Sequence, residues 1–216
     1  DEDKRFDLKS FKALGGAFAV YKIASEKKNI TVSTATAGNH GRSVAWGAQR
    51  LGLKCKIFIS EFVSESRAEA MRSLDAEVIR VKGNYDNSLK ECIKQSNINN
   101  WEIVQDVSWE GYKEVPKLIM AGYTIMVKEI LGEINSNSIT HVFLQAGVGG
   151  MAASMIAGFA KLSRNIPKFI TVEPENADCV FQSIKNNKPT TVDIKKETVM
   201  GGMSCGDVSS IAWEIL

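Results

Sequence analysis

The chain has 216 residues, and 27 Lys+Arg against 25 Asp+Glu leave a formal charge of +2, which excludes the strong basic field of a nucleic-acid binder and singles out no charged partner. With 44% hydrophobic residues, 24% charged residues and four prolines, the composition excludes wholesale disorder and provides for a sizeable core. At about 150 residues per domain, the length suits one large domain or two small ones.

Short β-branched runs alternate with amphipathic stretches, the rhythm of βα units around a mostly parallel sheet. In chain order the pattern predicts a helix over 11–26, a strand over 31–34, a helix over 42–51 and a strand over 55–59. A helix over 64–74, a strand over 77–81, a helix over 85–94 and a strand over 101–104 follow. The second half predicts a helix over 116–131, a strand over 141–144, a helix over 151–162, a strand over 168–172 and a helix over 177–184. Pro116 at a helix start, and Gly52 and Gly132 at helix ends, are the expected punctuation. Residues 209–216 read as a further helix that the chain end interrupts, so a piece of a longer protein is expected. If two lobes form, the smaller is expected over 35–111, interwoven with a larger one made of 1–34 and 112–216.

The apolar run over 146–160 is broken by four glycines and falls short of the roughly 20 residues of a spanning helix, so no membrane segment is expected. Cys55, Cys92, Cys179 and Cys205 form no C-x-x-C pair, and no signal-peptide pattern is seen. A reduced, cytoplasmic protein without a metal site is expected, with a Cys179–Cys205 contact as the one pairing to consider.

In open α/β sheets ligands bind at the carboxyl ends of strands, which directs attention to four segments. After the first strand, Ala37-Gly38-Asn39-His40-Gly41 passes through small residues into a helix; Asn39 offers donor and acceptor, and His40 suits a base, a cap or a packed ring. After the strand at 141–144, Gly147-Val148-Gly149-Gly150-Met151 places unhindered amides at a helix start, a cradle for phosphate. The same stretch satisfies G-x-G-x-x-A, with Glu173 ending the next strand, so a nicotinamide or flavin dinucleotide fold is a rival reading. Lys12 opens an apolar helix with Phe11, Leu14 and Phe18 around it, where a positive helix end and an apolar wall favour an uncharged, nucleophilic amine. Asp106 sits in the aromatic segment Gln105-Asp106-Val107-Ser108-Trp109-Glu110-Gly111-Tyr112, where it serves as a turn cap or, walled by Trp109 or Tyr112, as a proton acceptor. Arg42 and Lys113 are the basic residues nearest these segments and are expected to be mainly solvated; His141 heads a strand and reads as structural.

Taken together, the early lysine, the A-G-N-H-G loop and the later glycine-rich loop resemble the fold type II pyridoxal-phosphate enzymes of the tryptophan synthase β and threonine dehydratase group. Ser10-Phe11-Lys12-Ala13-Leu14-Gly15-Gly16, Asp106-Val107-Ser108-Trp109-Glu110-Gly111-Tyr112 and Gly201-Gly202-Met203-Ser204-Cys205-Gly206 are most similar to the diaminopropionate ammonia-lyase subfamily. The resemblance implies two interwoven, open, twisted, mostly parallel sheets, here incomplete, and pyridoxal 5'-phosphate as cofactor. It implies that Lys12 carries the cofactor covalently, that Asn39 holds the ring's phenolic oxygen, and that the amides of Gly147, Val148, Gly149, Gly150 and Met151 hold its phosphate. It further implies α,β-elimination of 2,3-diaminopropionate to pyruvate and ammonia by a cytoplasmic homodimer acting on a small amino acid.

Two departures from the subfamily stand out. Ala37 occupies the place where the subfamily usually carries the Asp linked to the D-isomer, whereas Asp106, linked to the L-isomer, is present; the resemblance then implies an L-selective enzyme. Ala37 also brings the loop close to the threonine and serine dehydratases, the alternative reading. The connection over 26–30 is shorter than the subfamily's, and the group expected against the pyridine nitrogen falls outside the sequence, which keeps a catalytically incomplete fragment as a third reading.

Overall fold

Apolar runs bounded by glycine and asparagine become the strands of a parallel sheet. The computed structural model describes residues 2–196 and 198–216, and contacts group the chain into two compact units, Asp1–Asp106 and Val107–Leu216. This division and the expected lobe of 35–111 partition the chain differently, since here residues 12–34 stand with the segment up to Asp106.

The first unit contains α1 (Lys12–Glu26), β1 (Thr31–Ala35), α2 (Asn39–Arg50), β2 (Lys54–Ser60), α3 (Glu65–Arg72), β3 (Ala76–Val81), α4 (Tyr85–Asn99) and β4 (Glu102–Ile103). Its four strands are parallel in the order β3-β2-β1-β4, with Thr34 opposite Ile57 and Val32 opposite Glu102. Side chains alternate along β2, which sets the two faces. A Cβ on Gly41 of α2 would come within 3.4 Å of Ile57, so Ile57 faces α2. Phe58 instead joins Ala35 and Cys92 of α4 on the opposite face. With helices on both faces, Ile57, Phe58 and Ile59 are all buried, the unbroken apolar run expected of a covered parallel strand. Burial pushes the Cys55 thiol up to about 12 and that of Cys92 to about 11, so both behave as small apolar side chains.

Helices α1 and α2 meet backbone to backbone. A Cβ on Gly16 would stand 2.0 Å from Ser43 Oγ, and one on Gly47 would stand 2.8 Å from Ala17 Cα. Helix α4 starts on a reciprocal cap in which Asn84 and Asn87 each accept the other's amide, at 3.2 and 3.1 Å.

The second unit contains α5 (Glu114–Tyr123), α6 (Ile125–Glu133), β5 (His141–Gln145), α7 (Gly150–Leu162), β6 (Lys168–Val172), α8 (Cys179–Asn186) and α9 (Ser210–Trp213). Strands β5 and β6 pair in parallel from His141 opposite Lys168 to Gln145 opposite Val172. The single helix expected over 116–131 is two helices. Thr124 interrupts it, its hydroxyl donating to the Ala121 carbonyl at 2.7 Å, a local bond that competes with the helical ladder. Pro116 is consequently the third residue of α5, and Gly132 lies within α6. Among the described residues, no helix is long and apolar enough to cross a membrane.

Gly47→Val should destabilise the first unit by about 1–3 kcal/mol, because the neighbour it strikes is backbone. Gly132→Ala, with nothing within 4 Å of the new Cβ, should be neutral or stabilise by up to about 1 kcal/mol. Urea-unfolding midpoints of the two variants against the parent check both signs.

Candidate functional site

Lys12 is the first residue of α1 and is fixed from two sides. Its amide donates to Ser10 Oγ at 3.2 Å, and its carbonyl accepts the Ser43 hydroxyl at 2.8 Å. Its ammonium donates to Asp106 Oδ2 at 2.6 Å, with the Phe11 ring centroid 5.8 Å away. Of the apolar neighbours expected beside Lys12, the Phe11 ring faces the amine, and a carboxylate stands against it, so the amine is held in an ion pair. The pair is partly sheltered, with 27% and 15% of the two side chains exposed.

Asp106 reaches that place because β1 and β4 pair in parallel and end side by side. Gln105, fully buried, extends this pairing with its side chain: Oε1 accepts the Ala35 amide at 3.0 Å and the Thr34 hydroxyl at 2.8 Å, while Nε2 donates to the Ala35 carbonyl at 2.9 Å and to the Tyr85 hydroxyl at 2.8 Å. A primary amide placed this way mimics a peptide group and locks the end of β1 to the segment that presents Asp106. Sequence reasoning passed over Gln105, whose signal was only a polar residue ending an apolar strand.

His40, on the first turn of α2, is buried beside the pair. One ring nitrogen, Nε2, contacts the Val104 carbonyl at 2.8 Å, and the other, Nδ1, lies 3.7 Å from Asp106 Oδ2. Burial lowers the His40 pKa against the opposing attraction of Asp106, so the ring is neutral near pH 7. For Asp106, burial disfavours the charge, yet the cationic forms of His40 and Lys12 together with the Lys12 hydrogen bond prevail and hold the carboxyl well below its usual range. With His40 neutral, Lys12 is the cation that sustains this at neutral pH.

The loop between β1 and α2 is folded around Thr36. Its hydroxyl oxygen accepts the amides of Gly38 and Gly41 at 3.0 and 3.2 Å. Gly41 has no room for a Cβ, which would lie 2.4 Å from Thr36 Cγ2. This turn leaves Asn39 exposed at the first position of α2 and Ala37 exposed before it, the Ala37 carbonyl accepting from Arg67 at 3.3 Å. Arg42 lines a separate cavity of about 420 Å³ with Trp46, Gln49, Arg50 and Ser73.

In the second unit, Gly147, Val148, Gly149, Gly150 and Met151 form the turn from β5 into α7. Gly149 has φ +88°, and a Cβ there would lie 2.8 Å from Leu216; a Cβ on Gly147 would lie 2.9 Å from Cys205 Sγ. A Cβ has no room at Gly147 or Gly149, and the first amides of α7 have no intrahelical acceptor. Cys179 Sγ donates to the Gly147 carbonyl at 3.4 Å, and burial pushes its thiol up to about 12, so it is no thiolate at neutral pH. The rival dinucleotide reading assigned Glu173 to a ribose. Instead its two carboxylate oxygens accept the amides of Val180 and Phe181, both at 2.8 Å, within the first turn of α8. Trp109 and Tyr112 stack on one another at 4.0 Å, and Lys113 pairs with Glu214 at 3.3 Å.

These residues fit pyridoxal phosphate in each unit taken by itself. The second unit provides a glycine-rich turn whose amides open a helix, suited to phosphate. The first provides a lysine amine at a helix start with a carboxylate beside it, suited to an aldehyde and to proton transfer. Over residues 1–216 the sequence matches the family model described as pyridoxal-phosphate dependent enzyme. The chain belongs to that family.

Among the relatives of this family member, the diaminopropionate ammonia-lyase of Escherichia coli strain K12 is 36% identical over 238 aligned positions, covering 100% of this chain and 60% of the relative. A crystal structure of the holo diaminopropionate ammonia-lyase from Escherichia coli superposes with a TM-score of 0.92 at 36% identity, over 100% of this chain and 59% of that one. The same enzyme in complex with an aminoacrylate-PLP azomethine reaction intermediate gives a TM-score of 0.90 at 37% identity, over 100% and 58%. The chain thus has the α/β fold of the fold type II pyridoxal-phosphate enzymes and spans about 60% of the length of the curated relatives it matches.

The Lys12–Asp106 pair makes stability sensitive to acid. An Asp with a lowered folded pKa contributes stability that is complete above its unfolded value of about 3.9 and lost as pH falls toward the folded value. The urea midpoint of the parent should therefore exceed that of Asp106→Asn at pH 6, and the gap should narrow steadily from pH 5 to pH 3.

Proposed function

We propose that the protein eliminates ammonia from 2,3-diaminopropionate to give pyruvate and a second ammonia, with preference for the L-isomer. The observation that carries this reading is the contact between Lys12 and Asp106, which sets the amine that would bear the cofactor against a carboxylate able to accept a proton. Lys12 would hold the cofactor covalently, Asn39 its ring oxygen, and the amides of Gly147, Val148, Gly149, Gly150 and Met151 its phosphate. Bound there, pyridoxal phosphate supplies an electron sink for charge that develops at the substrate α-carbon. Asp106, ionised and partly sheltered, takes the α-proton presented on its side. Ala37 has no group to take a proton, and its carbonyl accepts from Arg67. The D-isomer then lacks its acceptor. A homodimer acting on a small amino acid in the cytoplasm accompanies this reading.

A threonine or serine dehydratase is the second reading, favoured by Ala37. Pyruvate release from L- and D-2,3-diaminopropionate and from L-serine, and 2-oxobutyrate release from L-threonine, separate the two. The expected outcome is turnover of L-diaminopropionate at least about tenfold above the D-isomer and above both hydroxyl substrates. Asp106→Asn should lower L-turnover by about 10²–10⁴-fold, the usual weight of a general base. Lys12→Ala should abolish the protein-dependent visible absorption of added pyridoxal phosphate. Equal turnover of both enantiomers would remove the role given to Ala37, and faster turnover of threonine or serine would favour the second reading.

A further inference from the structure

His40 is a buried titratable group that neither the Lys12–Asp106 pair nor the glycine cradle accounts for. Its Nε2 lies 2.8 Å from the Val104 carbonyl oxygen. A carbonyl oxygen only accepts, so Nε2 carries the ring proton. Nδ1 is then a lone pair, sealed from water with no hydrogen-bond partner and 3.7 Å from Asp106 Oδ2. An acceptor nitrogen and an ionised carboxylate thus face each other across a buried gap. One proton delivered to either of them turns an unfavourable contact into an attractive one, and an approach of about 1 Å across the 3.7 Å gap completes a charge-assisted hydrogen bond.

We infer that His40 is a positioning residue that shares the proton taken up by Asp106, holding it on Nδ1 until Asp106 gives it back. The inference rests on Asp106 being the base of the proposed reaction. As the substrate α-carbon–hydrogen bond breaks, its electron pair stays with the substrate and the proton forms an O–H bond on Asp106. That O–H bond then breaks as the Nδ1–H bond forms: the carboxylate regains its charge and the imidazole becomes imidazolium. The reverse transfer restores the proton to Asp106, which passes it to the departing β-amine. Charge and atoms balance with no further reactant.

The surroundings suit a brief loan. Desolvation opposes the imidazolium, Asp106 favours it, and Lys12 opposes it. The ring is therefore neutral at rest, ready to accept, and the same desolvation returns the proton. A purely structural histidine would need only the Val104 contact, leaving the aim of Nδ1 at Asp106 without purpose.

Because the chain has two histidines, nitrogen-15 NMR of the labelled protein without cofactor distinguishes His40 from the exposed His141. A neutral Nε2–H ring whose Nδ1 signal moves in Asp106→Asn is expected. An Nδ1–H tautomer, or a signal indifferent to Asp106→Asn, overturns the inference without any assay. His40→Gln places an amide donor near the Val104 carbonyl but has no basic nitrogen. It should retain the cofactor absorption, lower kcat on L-diaminopropionate by about 10- to 100-fold with KM little changed, and alter the acid limb of the kcat–pH profile. Loss of activity in Asp106→Asn with an unchanged pH profile in His40→Gln overturns the part given to His40 and leaves the base assignment standing. Full activity in Asp106→Asn overturns the base assignment itself and the inference with it.

Discussion

The parallel pairing of β1 with β4 is the constraint on which the first unit's chemistry depends. Parallel neighbours end on the same side, so the loop that leaves β1 and the segment that leaves β4 emerge together. The backbone ladder between them is short, with Val32 opposite Glu102 and Ser33 opposite Ile103. Gln105 prolongs it by offering its side-chain amide to both backbone groups of Ala35. Without that extension, the strand end would leave the Ala35 amide and carbonyl unpaired in the core, at a cost of about 1–3 kcal/mol each. With it, the next residue, Asp106, is delivered to Lys12 and His40 at fixed distances.

Small residues do the complementary task of bringing helices close enough to share that site. Gly16 and Gly47 let α1 and α2 touch backbone to backbone, and Ser43 on α2 can then bond the Lys12 carbonyl. The lysine is thereby registered against the helix that also carries Asn39 and His40. In the second unit glycine lets side chains close onto a turn. At Gly147 and Gly149 the missing Cβ leaves room for Cys205 Sγ and Leu216 Cδ1, which would stand 2.9 and 2.8 Å from it. Close approach of a helix in one case and of side chains in the other call for the same residue.

Much of this is visible in the amino-acid sequence because local rules govern it. The strands over 31–35, 54–60, 76–81, 141–145 and 168–172 follow from β-branched runs, and Lys12, Asn39, Asp106 and the 147–151 turn stand out at strand ends or helix starts. What escapes a sequence reading depends on partners distant along the chain. Thr124 splits a continuous helical pattern because its hydroxyl takes up the Ala121 carbonyl, whereas propensity alone runs the helix through. Glu173 satisfies a dinucleotide motif by position, yet its carboxylate is spent on two amides of α8. The wall foreseen for Asp106 was aromatic; the groups that set its charge are Lys12 and His40, 94 residues away in the first case. No periodicity encodes that meeting, because the order of parallel strands creates it.

On the proposed function, the charge state of the Lys12–Asp106–His40 group would tie cofactor loading to basicity. As long as the Lys12 amine donates to Asp106 Oδ2, the carboxylate is stabilised as an anion and is a poor proton acceptor. A lysine committed to covalent bonding cannot remain a free ammonium against that oxygen. Commitment of Lys12 therefore weakens the interaction that keeps Asp106 acidic and leaves His40 Nδ1 as its close neighbour, an acceptor rather than a cation. Each change moves Asp106 toward accepting a proton. On the proposed function, the residue that would hold the cofactor would thus also control when the carboxylate becomes a base, and protonation of Asp106 is disfavoured as long as the Lys12 contact lasts.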